Sequence, residues 1–323
     1  MKQSNSCADP RRRAASFLLS GLLATGLFAT CSDHSAQASE QGYDPSLSRV
    51  SNVRGLDPAG LRLRSASVLV TDSRGRPLYA KHSGDVRPIA SITKLMTAMV
   101  VLDADLPMDE EISILEADRD RLRHSRSRLR PEHATLTRRE MLTIALMSSE
   151  NRAASALGRT SLPGGTPAFV DAMNRKAQSL GMTHSHFADA SGLNGANRST
   201  AEDLVKMVQA AARYPFIHNA TTTAALQVVP YASGAALDYR NTNPLIRGAH
   251  PEWDIELSKT GYLNEAGRCL VMQAQIAGRT FDIVLLNSYG KLTPTGDSNR
   301  VRKWLESELQ KGRQKVTMGP HSN

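Results

Sequence analysis

The chain has 323 residues, a formal net charge of +9, three cysteines and few aromatic residues (5%). This length is sufficient for one large domain with its own hydrophobic core. The basic charge suits contact with an anionic polymer such as a cell wall, or with a membrane surface. Arginines and aromatic residues do not alternate as they do in grooves that bind single-stranded nucleic acid, so the sequence gives no indication of nucleic-acid binding.

Residues 1–38 have the pattern of a secretory signal peptide. Arg11–Arg13 precede an apolar run from Ala14 to Ala29, and Ala36–Ala38 form a small-residue cleavage site. The run is short for a membrane span, which needs about 20 residues. A membrane anchor, or a lipoprotein signal ending at Cys31, stays open as an alternative. We predict export to the periplasm with cleavage after about Ala38.

Cleavage after Ala38 leaves Cys269 as the single cysteine, so a mature chain would have no internal disulfide. Cys269 lies in an apolar segment, and we interpret it as a small buried residue rather than a nucleophile. An exported protein without disulfides depends on its core. We predict a polar approach segment over residues 39–60, one domain over 61–312 and a flexible basic tail over 313–323.

The order of the predicted elements indicates an α+β fold. Residues 66–70 and 77–80 are strand-like and open an antiparallel sheet. We predict a helix that begins at Ser91. Because this helix is apolar on nearly every side, we expect it to be buried. A helical block follows, then three strands between residues 255 and 286, then an amphipathic helix over 301–309. We predict a five-stranded antiparallel sheet flanked by helices, with an inserted helical lobe, and a site in the cleft between sheet and lobe.

Two features stand out in the predicted helical block. The arginine-rich segment 119–130 is interpreted as a solvated surface, with contact to a polymer as the alternative. Thr137 and Glu140 have the spacing of a capping box, which predicts a helix start there. His184 and His186 are the closest histidine pair, but no cysteine or acidic residue stands at metal-ligand spacing, so we predict no metal site.

Three short motifs stand in one order along the chain. They are Ser91-Ile92-Thr93-Lys94, Ser149-Glu150-Asn151 and Lys259-Thr260-Gly261. Each alone is common by chance, as a helix cap, a helix-end loop or a strand ending at glycine. Together, in this order and each on a suitable element, they favour a functional interpretation.

The first motif has the chemistry of an activated nucleophile. Ser91 at a helix start lies beside unpaired backbone N–H groups, which stabilise developing negative charge. Lys94 follows at i+3, on the same side of the helix. A buried lysine has a lowered pKa because desolvation penalises its charged form, so Lys94 could accept the proton of Ser91.

The second motif could handle protons and the substrate backbone. We predict that Ser149 relays a proton between Lys94 and a leaving amine, and that Asn151 hydrogen-bonds the substrate and Lys94. Ser148 is an alternative that does not have the required spacing. We expect Glu150 to point outward as a salt-bridge residue.

The third motif could bind the substrate. Lys259 and Gly261 share one face of a strand. We expect Lys259 to hold a substrate carboxylate as a fixed cation, and Gly261 to leave that face open for an extended substrate. Thr260 adds a hydroxyl, and the N–H of Tyr262 could form an oxyanion hole with that of Ser91.

These motifs resemble those of the low-molecular-mass penicillin-binding proteins, the D-alanyl-D-alanine peptidase family, over about residues 60–310. The chain is most similar to the penicillin-binding protein 7 type of D,D-endopeptidase, in segments 87–99, 145–153, 259–261 and 267–272. The resemblance implies the serine β-lactamase and penicillin-binding fold. It also implies that Ser91, Lys94, Ser149 and Asn151 are catalytic and that Lys259, Thr260, Gly261 and Tyr262 bind substrate.

The implied activity is cleavage of D-Ala-diaminopimelate crosslinks in peptidoglycan through an acyl-enzyme at Ser91, in cell-wall remodelling. β-Lactam antibiotics would act as covalent inhibitors, and no cofactor is implied. A D-alanyl-D-alanine carboxypeptidase that trims pentapeptides is the alternative. A penicillin-sensing or wall-binding module without turnover is a further one. No clear Glu-x-x-Leu-Asn deacylation motif follows the second motif, so we expect slow penicillin hydrolysis rather than a β-lactamase.

Overall fold

The computed structural model describes residues 56–248 and 250–317 of the chain. Its strands are β1 (Ser67–Asp72), β2 (Pro77–Lys81), β3 (Arg87–Pro88), β4 (Glu111–Ser113), β5 (Thr135–Thr137), β6 (Arg198–Ser199), β7 (Ala225–Val228), β8 (Leu237–Arg240), β9 (Asp254–Leu263), β10 (Gly267–Ile276) and β11 (Arg279–Ser288). Its α-helices are α1 (Thr93–Asp103), α2 (Arg138–Met147), α3 (Asn151–Thr160), α4 (Gly165–Ser179), α5 (Ala201–Ala211), α6 (Pro215–Thr222), α7 (Pro244–Arg247) and α8 (Thr293–Thr317). The predicted signal peptide, and the approach segment up to residue 55, lie outside the described residues.

A five-stranded antiparallel sheet joins the early and late strands in the order β2-β1-β11-β10-β9. β1 pairs with β11, so that Leu69 lies opposite Val284. The β9–β10 and β10–β11 hairpins complete the sheet and leave β9 at its edge. This confirms the predicted sheet of two strands before the helical block and three after it.

Both faces of the sheet are covered, because alternate side chains of each strand enter different hydrophobic clusters. Val284 and Leu286 of β11 pack with the helices that lie between β2 and β9 in sequence. Ile283 and Leu285 pack instead with Trp304 of α8 and its neighbours. β11 is therefore buried on both sides, and the edge strand β9 faces the inserted helices.

The inserted helices form around α1, whose residues 93–101 are all buried. α2 begins with the predicted capping box, in which Thr137 Oγ1 accepts from the Glu140 N–H and the Glu140 carboxylate accepts from the Thr137 N–H. α2 ends at Met147, directly before the second motif, and α3 begins at Asn151.

The structure differs from the sequence-based expectation in three places. Segment 119–130 contains neither helix nor strand, although most of its side chains are exposed as expected. Three two-stranded ribbons (β3–β6, β4–β5 and β7–β8) were not predicted, because their strands are too short to show a period. The last helix continues to Thr317, beyond the predicted start of a flexible tail at residue 313. In the described ranges, no helix is both long and apolar enough to cross a membrane.

Candidate active site

Ser91 lies in a 3-10 turn, Ala90–Ile92, that leads into α1, and it lines a cleft of about 710 Å³. Ala90 has a φ of 49°, a left-handed conformation that costs a non-glycine residue roughly 1–3 kcal/mol. Thr93 Oγ1 donates to the Ala90 carbonyl over 2.7 Å. The predicted helix start at Ser91 is thus a tighter turn, and a strained backbone presents the serine.

Lys94 is fully buried and its amine contacts three groups of the site. Nζ lies 3.0 Å from Ser91 Oγ, 2.8 Å from Asn151 Oδ1 and 2.5 Å from the Ser191 carbonyl. Burial lowers the pKa of Lys94 to about 8, although the charges of Asp189 and Glu150 act in the opposite direction. At this pKa roughly a tenth of Lys94 is neutral at pH 7 and about half at pH 8, so a neutral amine is available as a base for Ser91.

Asn151, the first residue of α3, is oriented from both ends of its amide. Oδ1 accepts from Lys94, and Nδ2 donates to Ser125 Oγ over 3.1 Å. Ser125 belongs to the arginine-rich segment and lines the same cleft. No sequence motif connects that segment with the site, since Ser125 lies far from Asn151 in the chain.

Ser149 lies in the turn between α2 and α3 with a φ of 63°, and it lines the cleft with Ser91. Its hydroxyl has no hydrogen-bond partner within the described ranges, so it is free to bond a substrate. The neighbouring Ser148 donates instead to the Ile144 carbonyl over 2.6 Å, and it does not line this cleft.

Glu150 does not point outward, contrary to the sequence-based expectation. Glu150 is only 7% exposed, and its carboxylate accepts a hydrogen bond from the Arg152 N–H at the start of α3. A carboxylate in this position stabilises the positive N-terminus of the helix. It also helps keep the pKa of Lys94 from falling further. Glu150 can be recognised as the N-cap of α3, and not as a surface residue, only when the start of that helix is known.

Lys259, on the edge strand β9, is buried rather than presented as an exposed cation. It is 1% exposed and donates to the Thr260 carbonyl over 2.9 Å. Burial and the nearby charge of Lys94 hold the pKa of Lys259 well below its usual value. The two buried lysines disfavour each other's charge, and the role of Lys259 as the cation that holds a substrate carboxylate stays a prediction.

Gly261 packs against the Ser91 turn instead of leaving an open face. A Cβ at this position would lie 2.9 Å from the Ile89 carbonyl oxygen and 3.1 Å from both Ala90 Cβ and the Ser91 nitrogen. The missing side chain thus allows β9 to approach the backbone of the serine. The expectation of a free face for substrate is corrected. The close approach brings the β9 backbone beside the Ser91 N–H, where the predicted oxyanion hole would lie.

Thr260 and Tyr262 both line the cleft on β9. Thr260 Oγ1 donates to Thr242 Oγ1 over 2.6 Å. The Tyr262 ring is 52% exposed, and the guanidinium of Arg268 stacks 4.5 Å from its centroid. Thr242 and Arg268 also line the cleft, although they lie outside the three sequence motifs.

A loop around Asp189, which the sequence analysis did not identify, packs against the turn that carries Ser91. The Asp189 carboxylate accepts from the N–H groups of Ser191, Gly192 and Asn194. Gly192 has a φ of 81°, and a side chain there would collide with the Ala90 carbonyl. The Asp-x-Ser-Gly pattern is turn chemistry, but only the folded chain shows that this turn supplies the Ser191 carbonyl to Lys94.

Metal ligation and thiol chemistry have no support in the described ranges. No group of three or more histidine, cysteine or acidic residues is placed to hold a metal ion there. Cys269 is buried, and burial raises the pKa of its thiol to about 11.

Comparisons with known proteins agree with this geometry. A family model described as D-alanyl-D-alanine carboxypeptidase matches residues 56–290. The chain is 45% identical over 251 residues to a D-alanyl-D-alanine endopeptidase of Pseudomonas aeruginosa, covering 77% of this chain and 80% of the relative. It is 42% identical over 248 residues to a D-alanyl-D-alanine endopeptidase of Escherichia coli, covering 76% and 78%.

Solved structures show the same fold. The DD-transpeptidase of Streptomyces K15 superposes with a TM-score of 0.69 and 27% identity, covering 75% of this chain and 97% of that one. A D-alanyl-D-alanine carboxypeptidase of Mycobacterium tuberculosis superposes with a TM-score of 0.67 and 26% identity, covering 76% and 92%.

Proposed function

Because this chain belongs to the D-alanyl-D-alanine carboxypeptidase family, we propose that it is a periplasmic serine endopeptidase that cleaves D-Ala-diaminopimelate crosslinks of peptidoglycan. The observation that carries the proposal is the contact of the buried Lys94 with both Ser91 and Asn151, which line one cleft. The relatives named D-alanyl-D-alanine endopeptidase support the choice of bond.

Acylation begins with proton transfer from Ser91 Oγ to the neutral amine of Lys94. Oγ attacks the D-Ala carbonyl, and the developing oxyanion accepts hydrogen bonds from the N–H groups of Ser91 and Tyr262. The carbonyl–nitrogen bond then breaks as the proton returns, through Ser149, to the leaving amine. Water attacks the Ser91 ester by the same proton path in reverse and releases the acid.

Substrate binding uses the edge strand. The strand β9 accepts the extended peptide by backbone pairing, with the hydroxyls of Thr242 and Thr260 beside it. The substrate carboxylate lies next to Lys259. An anion there favours the charged form of the lysine, so the substrate carboxylate would raise the pKa of Lys259.

The choice between two bonds rests on the leaving group. In a crosslink the leaving amine belongs to a branched peptide, whereas in a pentapeptide it is one D-alanine. Both present a carboxylate near the scissile amide, so the three motifs serve either reaction. A carboxypeptidase is therefore the alternative function, and a penicillin sensor without turnover is a further one.

Covalent labelling tests the nucleophile. Labelled penicillin, a mimic of the D-Ala-D-Ala end, should form an adduct on Ser91 that peptide mapping locates. Ser91→Ala should lose the label, whereas Ser179→Ala, at an exposed serine on α4, should keep it. Labelling of Ser91→Ala would overturn the assignment.

Two substrates decide the bond. Purified crosslinked dimeric muropeptide should be converted to monomers faster than monomeric pentapeptide releases D-alanine. Release of D-alanine with the dimer left intact would make the protein a carboxypeptidase. A stable penicillin adduct with no turnover of either substrate would make it a sensor.

A further inference from the structure

A second cavity, of about 670 Å³, lies beside the active-site cleft. Five arginines line this cavity, the arginine groove: Arg119, Arg126, Arg128, Arg152 and Arg240. Ser125 lines both cavities. Along the turn between α2 and α3, Ser149 and Asn151 face the cleft, whereas Ser148 and Glu150 face the groove. One turn of the chain thus forms the wall between them.

Arg119 forms an ion pair with Glu116 over 2.7 Å, but the other arginines leave the groove with an excess of positive charge. Arg126 and Arg240 are exposed, and neither has an ion-pair or side-chain hydrogen-bond partner among the residues that the structure describes. The guanidinium of Arg128 stacks 4.6 Å from the centroid of Tyr239 and so is held in place. Burial raises the pKa of Tyr239, so its ring adds no negative charge.

The two carboxylates in the groove are already engaged. Asp120 accepts from the backbone N–H groups of Leu122, Arg123 and Ser125. Glu150 accepts from the backbone of α3. Neither is positioned as an ion-pair partner for Arg126 or Arg240. Guanidinium groups bind carboxylates in a paired, planar geometry, so the groove is suited to an anionic ligand with carboxylate groups.

We propose that the arginine groove binds the free carboxylates of the leaving peptide strand of crosslinked peptidoglycan, other than the one beside the scissile amide, and thereby selects crosslinks over pentapeptides. This inference rests on the proposed function. A crosslink carries a second peptide branch beyond the scissile amide, and a pentapeptide does not. The branch must leave the cleft beside Ser91. The wall at Ser125 and Ser149 is the point where it would cross into the groove.

The experiment compares two substrates on three proteins. The double variant Arg126→Ala/Arg240→Ala removes the two unpaired cations, and Arg121→Ala is the matched control. Arg121 belongs to the same segment, is 75% exposed and does not line the groove. The double variant should lose about tenfold or more in kcat/KM on the crosslinked dimer, because a hydrogen bond to a charged group is typically worth a factor of this size.

The same variant should retain cleavage of pentapeptide and acylation by penicillin, neither of which has a second strand. A dimer whose leaving-strand carboxylates are amidated, except the one beside the scissile amide that lies next to Lys259, should be a poor substrate for the wild type and no worse for the double variant. Equal losses on dimer and pentapeptide would indicate a structural defect and overturn the proposal. The proposal would also be overturned if the wild type cleaved the dimer and the double variant cleaved it equally fast. A wild type that leaves the dimer intact would overturn the proposed function, and this inference with it.

Discussion

The amine of Lys94 lies 3.0 Å from the hydroxyl of Ser91 in a position without solvent exposure. The two facts are connected, because the burial that fixes the distance also lowers the pKa of the lysine to about 8. Placement and activation of the base thus come from the same packing.

The first prediction is that acylation of Ser91 depends on pH through Lys94. Below pH 8 the lysine is mostly protonated and cannot accept the serine proton; above it the neutral form dominates. The rate of labelling by penicillin should therefore rise with pH, reach half its maximum near pH 8 and level off about one pH unit higher. A rate that is flat between pH 6 and about pH 9, or that falls, would be inconsistent with Lys94 as the base.

Substitution of the base should remove this profile. Lys94→Arg keeps a positive charge that does not titrate, so acylation should fall by roughly 10²–10⁴-fold, the usual contribution of a general base. Lys206→Arg, at a partly exposed lysine on α5, is the matched control and should acylate normally. Near-normal labelling of Lys94→Arg would move the base role to another residue.

The second prediction concerns Glu150, whose charge raises the pKa of Lys94. Glu150→Gln keeps an oxygen that can accept from the Arg152 N–H but removes the charge. The pKa of Lys94 should fall further, and the midpoint of the pH–rate profile should move to lower pH. An unchanged midpoint would mean that Glu150 acts only as a helix cap.

A variant with the opposite sign serves as the control. Asn151→Asp would place a carboxylate at the atom that now accepts from Lys94 over 2.8 Å. The charged form of the lysine is then favoured, so the midpoint should move to higher pH. Both variants are measured by the same penicillin-labelling rate, with circular dichroism as the check on folding.

The third prediction is that Gly261 tolerates no side chain. In Gly261→Ala the new Cβ would lie 2.9 Å from the Ile89 carbonyl oxygen, so β9 must move away from the Ser91 turn. Overpacking of this kind typically costs 1–3 kcal/mol, and a displaced serine can cost about 10²-fold in rate. Urea unfolding and penicillin labelling measure the two effects.

Gly60→Ala is the control for Gly261→Ala, because nothing lies within 4 Å of a Cβ at Gly60. It should leave both stability and acylation unchanged. If Gly261→Ala behaved like Gly60→Ala, the close approach of β9 to the serine would not matter for activity.

The fourth prediction is that Cys269 is unreactive in the folded protein. Its thiol is 1% exposed, and burial raises its pKa to about 11, so little thiolate forms at neutral pH. Alkylation with iodoacetamide followed by peptide mapping should find Cys269 unmodified in buffer and modified in denaturant. Rapid modification of this residue in buffer would show that β10 opens readily.

The sequence by itself determined the sheet, the buried first helix and the three motifs. Runs of β-branched and other apolar residues between turn residues mark the five strands of the main sheet, because such runs fit strands that are buried on both faces. The helix α1 is apolar on all sides, so it must be buried whatever elements it packs against. These signals are local in the chain, so they can be recognised without the fold.

Only the tertiary structure decided how the motif residues face one another. The burial of Lys259 and Glu150, and the approach of Gly261 to Ser91, arise from contacts between elements far apart in sequence. The same holds for the link from Asn151 to Ser125. A side chain's exposure and pKa depend on all groups packed around it. A local sequence pattern therefore identifies candidate site residues, but it does not determine the exposure or the pKa of their side chains.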